Sequence, residues 1–204
     1  MTVNISVGTY SLQLDNSFWQ FSLSFYDQPS VASQCLDLQN EFGLDVNIVL
    51  LCIWQGSKGK LLTREFFTQI LSDTRIEQLR VDAILPLRKT RIALTKNDSI
   101  GANVLAKQTL ALEILAEQYE QAEIYGFTNG FSAESVDNVI ATVKNLCFYL
   151  PLGGLKQPKW HHIGILLNAA LPSINEAELI DVLRREADDL QSDVAGLNER
   201  KSYK

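Results

Sequence analysis

The chain has 204 residues, 46% of them hydrophobic and 21% charged, and a formal net charge of −6. A chain of this length buries about 70% of the surface its unfolded form exposes, so it needs no disulfide and no metal to fold. The acidic balance argues against a phosphate backbone as the main partner, and no segment reaches the roughly 18 consecutive apolar residues of a membrane span.

Residues 1–14 carry no Lys or Arg and no long apolar block, unlike a signal peptide. They alternate weakly between polar and apolar types and are read as an N-terminal arm, because one short strand without a partner is marginal. Helical signals then begin. Ser17 with Gln20 fits a capping box, and Phe18, Phe21, Ser22 and Phe25 share one face. Trp19, Leu23 and Tyr26 widen that face, which predicts burial over more than half the circumference. Asp27, Pro29 and Ser30 mark a break. Val31, Cys35, Leu38 and Phe42 then recur at helical spacing, and Gly43 reads as a left-handed stop.

The stretch GLDVNIVLLCIW follows, apolar from Ile48 to Trp54. Asp45 is placed as an N-cap, and Leu44 with Val49 as a hydrophobic staple. A helix from Val46 to Gln55 that is apolar nearly all round belongs at the centre of a bundle. GSKGK at 56–60 is a turn. Thr63–Leu71 is amphipathic, with Phe66, Phe67, Ile70 and Leu71 inward. A longer pattern spans Asp73–Thr95 with Ile76, Leu79, Ala83, Leu87 and Leu94 apolar, and Pro86 should kink or split it. KNDSIG at 96–101 is a loop.

Ala102–Tyr125 is the longest clean helix, with a heptad-like seam of Leu105, Leu112, Leu115, Tyr119 and Ala122. GFTNGFS ends it. Ser132 with Ser135 opens a further helix through Phe148, and PLGGLKQP at 151–158 marks a boundary. Two helices follow, around Lys159–Ala170 and Asn175–Ala195. No internal repeat and no convincing pair of strands is visible. The expected fold is an all-α multi-helix bundle: an arm at 1–14, a helical bundle domain at 15–153 and a short helical C-terminal tail at 154–204.

Three motifs carry a resemblance. FWQFSLSFY opens the first helix, CLDLQ sits in the second and GLDVNIVLLCIW forms the third. PLRKTR, with Pro86, Leu87, Arg88 and Arg91, is a fourth, weaker element. The chain resembles a small, uncharacterised proteobacterial family known only as a domain of unknown function, over about Asp15 to Leu150 and most densely in the first 40 residues of that span. The resemblance implies a bacterial, soluble, helical protein and no assigned reaction. Residues 154–204 lie outside it.

Several side chains are candidates for chemistry. Asp45 as a helix cap contributes about 1 kcal/mol without any ligand. Asn47 lies one turn from Leu50, Leu51 and Trp54, where a buried amide must find partners or cost about 1–3 kcal/mol. Internal satisfaction is its ordinary fate. Arg80, Arg88, Lys89, Arg91 and Lys96 give the middle helix a basic face, and Arg88 and Arg91, one turn apart, are spaced to grip one anion. The bland alternative pairs them at the surface with Glu113, Glu117, Glu120 and Glu123 of an antiparallel neighbour, for 0–1 kcal/mol per pair.

A di-metal site is rejected because no Glu has a His three residues later. DDLQSD at 188–193 superficially resembles a magnesium-binding acidic motif but lacks a second one. His161 and His162 are adjacent, diverge by about 100° on a helix, and have no Cys at ligand spacing; packing or a surface position is expected of them. There is no P-loop, no G-x-G-x-x-G and no G-x-S-x-G. Cys35, Cys52 and Cys147 are odd in number and lie in apolar contexts, which fits free buried thiols in a reducing cytosol.

The expectation is therefore a cytoplasmic binding or adaptor module that contacts a protein partner, with no catalytic residue, cofactor or metal. The competing expectation is a small anionic ligand, bound or chemically turned over inside the bundle. Asp45 and Asn47 would anchor it, Arg88 and Arg91 would neutralise it, and Trp19, Tyr26 and Trp54 would wall it. A third class, nucleic-acid binding through the Arg80–Lys96 face, predicts affinity that falls steeply with salt.

Overall fold

Ser17 does not cap the first helix. In the computed structural model, which describes residues 4–7, 10–155 and 160–202, helix α1 spans Ser17–Tyr26. Its cap is the buried Asn16, whose Oδ1 accepts from the N–H groups of Phe18 and Trp19 at 2.9 Å each. Asn16 offers a short acceptor one residue earlier, and the reciprocal box is absent because the third helical position is then Trp19, which carries no acceptor. Phe18, Ser22 and Phe25 are buried, but Leu23 is 44% exposed, so the buried stripe is narrower than expected.

Helix α2, Val31–Phe42, stops where Gly43 turns left-handed at φ 68°. The N–H groups of Gly43 and Leu44 donate back to the Gln39 and Leu38 carbonyls at 3.1 and 3.2 Å. Helix α3, Val46–Gly56, follows. Asp45 caps it as expected, its carboxylate accepting from the Asn47 N–H at 2.9 Å. Every side chain from Val46 to Trp54 is buried, which matches the expected central rod.

The chain forms two compact units: residues 1–20 with 68–131, and residues 21–67 with 132–204. The second unit is built on α3. It contains α2, the two-residue strand β3 (Lys60–Leu61), β4 (Glu134–Ser135), α8 (Asn138–Leu152), α9 (Trp160–Ala170) and α10 (Glu176–Ser202). Helix α8 lies along α3, α9 packs on α2, and α10 packs on α8 and α9. The helix expected from Ser132 starts later. Glu134 and Ser135 pair with Leu61 and Lys60, and Asp137 is the cap, accepting from Val139 and Ile140 at 2.9 and 3.3 Å.

The first unit holds the strands β1 (Asn4–Val7) and β2 (Tyr10–Gln13), α5 (Thr74–Gln78), α6 (Leu85–Thr95) and α7 (Ile100–Asn129). Strands β1 and β2 pair antiparallel, Asn4 opposite Gln13 and Val7 opposite Tyr10, where the sequence predicts no strand pair. Helix α4, Arg64–Leu71, straddles the two units in sequence. No described helix is long and apolar enough to cross a membrane.

Three residues of α8 tie it to α3 and its flanks. Thr142 meets Gly56 so closely that a Cβ there would overlap the Thr142 backbone. Asn145, fully buried, accepts from the Leu62 N–H at 2.8 Å and donates to the carbonyls of Lys60 and Cys52 at 3.0 and 3.3 Å. The Tyr149 hydroxyl accepts from the Asp45 N–H at 2.9 Å and donates to the Asp45 carbonyl at 3.1 Å.

Asn145→Ala would strand one buried donor and two carbonyls, and is expected to lower the unfolding free energy by about 3 kcal/mol in urea titrations. Gly56→Ala tests the close approach by sign. Helix propensity alone predicts a gain of up to about 1 kcal/mol, whereas the overlap with Thr142 predicts a net loss.

Candidate functional site

The expected break at Pro86 is realised as a widening of the helix. Proline lacks an N–H and its ring collides with the carbonyl four residues back. Residues Leu79–Ile84 accordingly adopt π-helical geometry between α5 and α6, and Pro86 sits in the first turn of α6. After Thr95 the chain reverses. Ser99 caps α7, its hydroxyl accepting from the Ala102 N–H at 3.2 Å, and α7 runs back along α6.

This reversal brings the basic face onto the glutamate stripe. Arg88 Nε donates to Glu113 at 2.9 Å and its Nη2 to Glu117 at 2.8 Å. Arg91 Nε donates to the other Glu113 oxygen at 2.6 Å, and its Nη2 to Oε1 at 3.1 Å. The Glu113 side chain is 4% exposed and Arg88 13%, so the pairing expected at the surface is part-buried, with Glu113 covered and Glu117 at the rim. Burial opposes ionisation of Glu113, but the hydrogen bonds from Arg91 and Arg88 outweigh it and hold the carboxyl below its ordinary range. The same contact raises Arg91. A second bridge joins Arg75 to Asp73 at 2.9 Å and to Glu123 at 3.5 Å.

With the charges turned inward, aliphatic side chains turn outward. The seam read along α7 does not face a neighbouring helix over its first half: Leu105 is 55%, Leu112 54% and Leu115 44% exposed. Ile100 at 85% and Val104 at 53% extend the same bare face. Ala102, Ala106, Glu113 and Glu120 are buried on the other side, and α6 buries no residue at all. The leucine spacing is real, but the arginines of α6 select the glutamate stripe as the inner one.

The other predicted site residues fall into two groups. Arg88, Arg91 and the half-buried Trp19 belong to the first unit. Asp45, Asn47, Tyr26 and Trp54 belong to the second. Asp45 and Asn47 are buried at the start of α3. Trp54 is buried with the Lys58 ammonium 3.5 Å above its ring. Tyr26 hydrogen-bonds the Cys35 thiol, whose burial pushes it up to about 12; Cys147 is raised to about 12 by burial and by Glu186, and Cys52 also rises. All three thiols are free and buried.

An anion at Arg88 and Arg91 would have to displace Glu113, a covalently tethered competitor. His162 Nδ1 lies 2.7 Å from Gln34 and 3.7 Å from Asp37, and its ring meets Phe42 edge-on, so it packs α9 against α2. His161 is exposed, 3.5 Å from Glu176. Among the described residues no group of His, Cys, Asp and Glu is arranged to hold a metal. Asp188 and Asp189 lie on α10, whereas the side chains of 191–193 fall outside the described residues.

The sequence reading missed one concavity. A half-open cleft of about 220 Å³ in the first unit is lined by Arg75, Tyr125, Gly126, Asn129 and the end of β2. Its one cation is held by Asp73 and Glu123.

A family model described as "Protein of unknown function (DUF2390)" matches residues 17–124, from the start of α1 into α7. No curated protein and no solved structure matches the chain.

A carboxyl with a depressed folded pKa contributes stability that is fully present above its unfolded value of about 4.3 and is lost as pH falls through the folded value. Glu113→Gln is expected to cost about 2 kcal/mol at pH 7, where Arg91 loses its counter-charge and Arg88 is left with Glu117. The gap between variant and wild type should close in urea titrations as pH is lowered below 4.

Proposed function

The chain belongs to the matched family of proteins of unknown function, and from that premise we propose that it is a cytosolic helical binding module whose task is contact with a protein partner. The observation that carries this reading is the bare face of α7 from Ile100 to Leu115. The largest apolar patch on a typical monomer covers about 300–600 Å² and is often functional. The face is rigid, because it lies on a 30-residue helix held to α6 by two arginines. Three buried, free thiols suit a reducing compartment.

The ligand reading finds less support. Its two cations are engaged by Glu113 and Glu117, and its polar anchors Asp45 and Asn47 lie at the capped end of α3.

Affinity capture from the native cytosol tests the proposal. Wild-type protein should retain a partner that Leu105→Glu with Leu112→Glu loses and that Ile140→Glu, an exposed aliphatic position on α8, keeps. Equal capture by all three, or a co-purified metabolite with no protein, would overturn it.

A further inference from the structure

Accepting that the bare α7 face binds protein, we propose that its occupant is a second copy of this chain, docked through a two-fold axis that crosses α7 between Val104 and Leu115. The first argument is architectural. Helices α6 and α7 meet through Arg88, Arg91, Glu113 and Glu117, and α6 has no fully buried side chain, its Leu87 and Leu94 being half-buried. A helical layer joined by ion pairs and small side chains, with the leucines of α7 turned away, leaves its larger apolar stripe unshared. A second hairpin laid on the first covers that stripe and makes a four-helix arrangement.

Spacing gives the second argument. Leu105 and Leu112 are seven apart, and Val104, Ala111 and Leu115 follow at seven and four. Such a row fits a helix of the same period. Helix α7 of another copy carries that same row, and a two-fold contact needs only one self-complementary patch.

Charge chooses between a second copy and a charged partner. The chain carries −6 and two copies repel in most orientations. Between Ile100 and Ala116 the only ionic residues are Lys107 and Glu113, and Glu113 is turned inward. The stripe is thus where two acidic molecules meet with least repulsion, and it offers an acidic or basic partner almost nothing to pair with. Its aliphatic side chains, about half exposed, amount to roughly 300–400 Å² of apolar surface per copy. Two such faces with their polar rims approach the ~1,200 Å² at which specific interfaces begin.

Sedimentation equilibrium of the full chain, from micromolar to submillimolar concentration, reads the outcome. The wild type should approach twice the monomer mass, Ile140→Glu should do the same, and Leu105→Glu with Leu112→Glu should remain monomeric with unchanged helical circular dichroism. Gln108→Cys, near the middle of the stripe, should oxidise to a disulfide-linked dimer, since the native thiols are buried. A wild type that stays monomeric would overturn self-association, and a dimer that survives the double substitution, or that Gln108→Cys does not cross-link, would overturn its docking through α7. A monomer that still captures another protein through Leu112 would also overturn it, while leaving the binding-face reading intact.

Discussion

A helix that is dry on every side constrains whatever surrounds it. Helix α3 has no wet edge along which a neighbour can adjust, so its partner must approach closely and must satisfy both ends. Helix α8 does this with Thr142, Asn145 and Tyr149, spaced three and four apart and hence on one face. Thr142 lies against Gly56, where hydrogen is the only tolerated side chain. Asn145 pairs the Cys52 carbonyl and pins Lys60 and Leu62. Tyr149 closes both backbone groups of Asp45, the residue that caps α3. The second unit is therefore organised by polar ties at the ends of an apolar rod, each tie coming from the same helix.

The first unit solves the opposite problem. Between α6 and α7 part-buried ion pairs join the helices, and such pairs add little net stability because desolvation offsets the attraction. Their use lies in geometry. Arg88 spans Glu113 and Glu117, one turn apart, so sliding α6 along α7 would break at least one bond. Register is fixed by charge, and the aliphatic side chains of α7 are released for contact elsewhere.

The legible parts of this structure are those whose cause is local. The Asp45 cap, the Gly43 stop and the dry helix between Val46 and Trp54 follow from neighbouring residues alone. The break around Pro86 was legible for the same reason, although its form as a π-helical stretch was not. The family resemblance read over Asp15 to Leu150 agrees with a family-model match over residues 17–124. What escaped depends on distant residues. Helix α7 carries a leucine row and a glutamate row at equally good helical spacing, and periodicity cannot rank them; the arginines of α6 do. Asn145 lies in an apolar context and carries no signal until β3 is brought beside it. The pairing of β1 with β2, and of β3 with β4, rests on strands too short to register as alternation. Of the candidate site residues, the partners of Arg88 and Arg91 were foreseen, but not the burial of Glu113.

Asn145 also places an unusual reporter in the molecule. The Leu62 amide belongs to no helix and barely touches a strand, yet its proton points at a side chain sealed between α3 and α8. Loop amides ordinarily trade hydrogen for deuterium through small local fluctuations. This one is released only when α8 lifts away, so a loop proton shares the slow exchange clock of the most protected core.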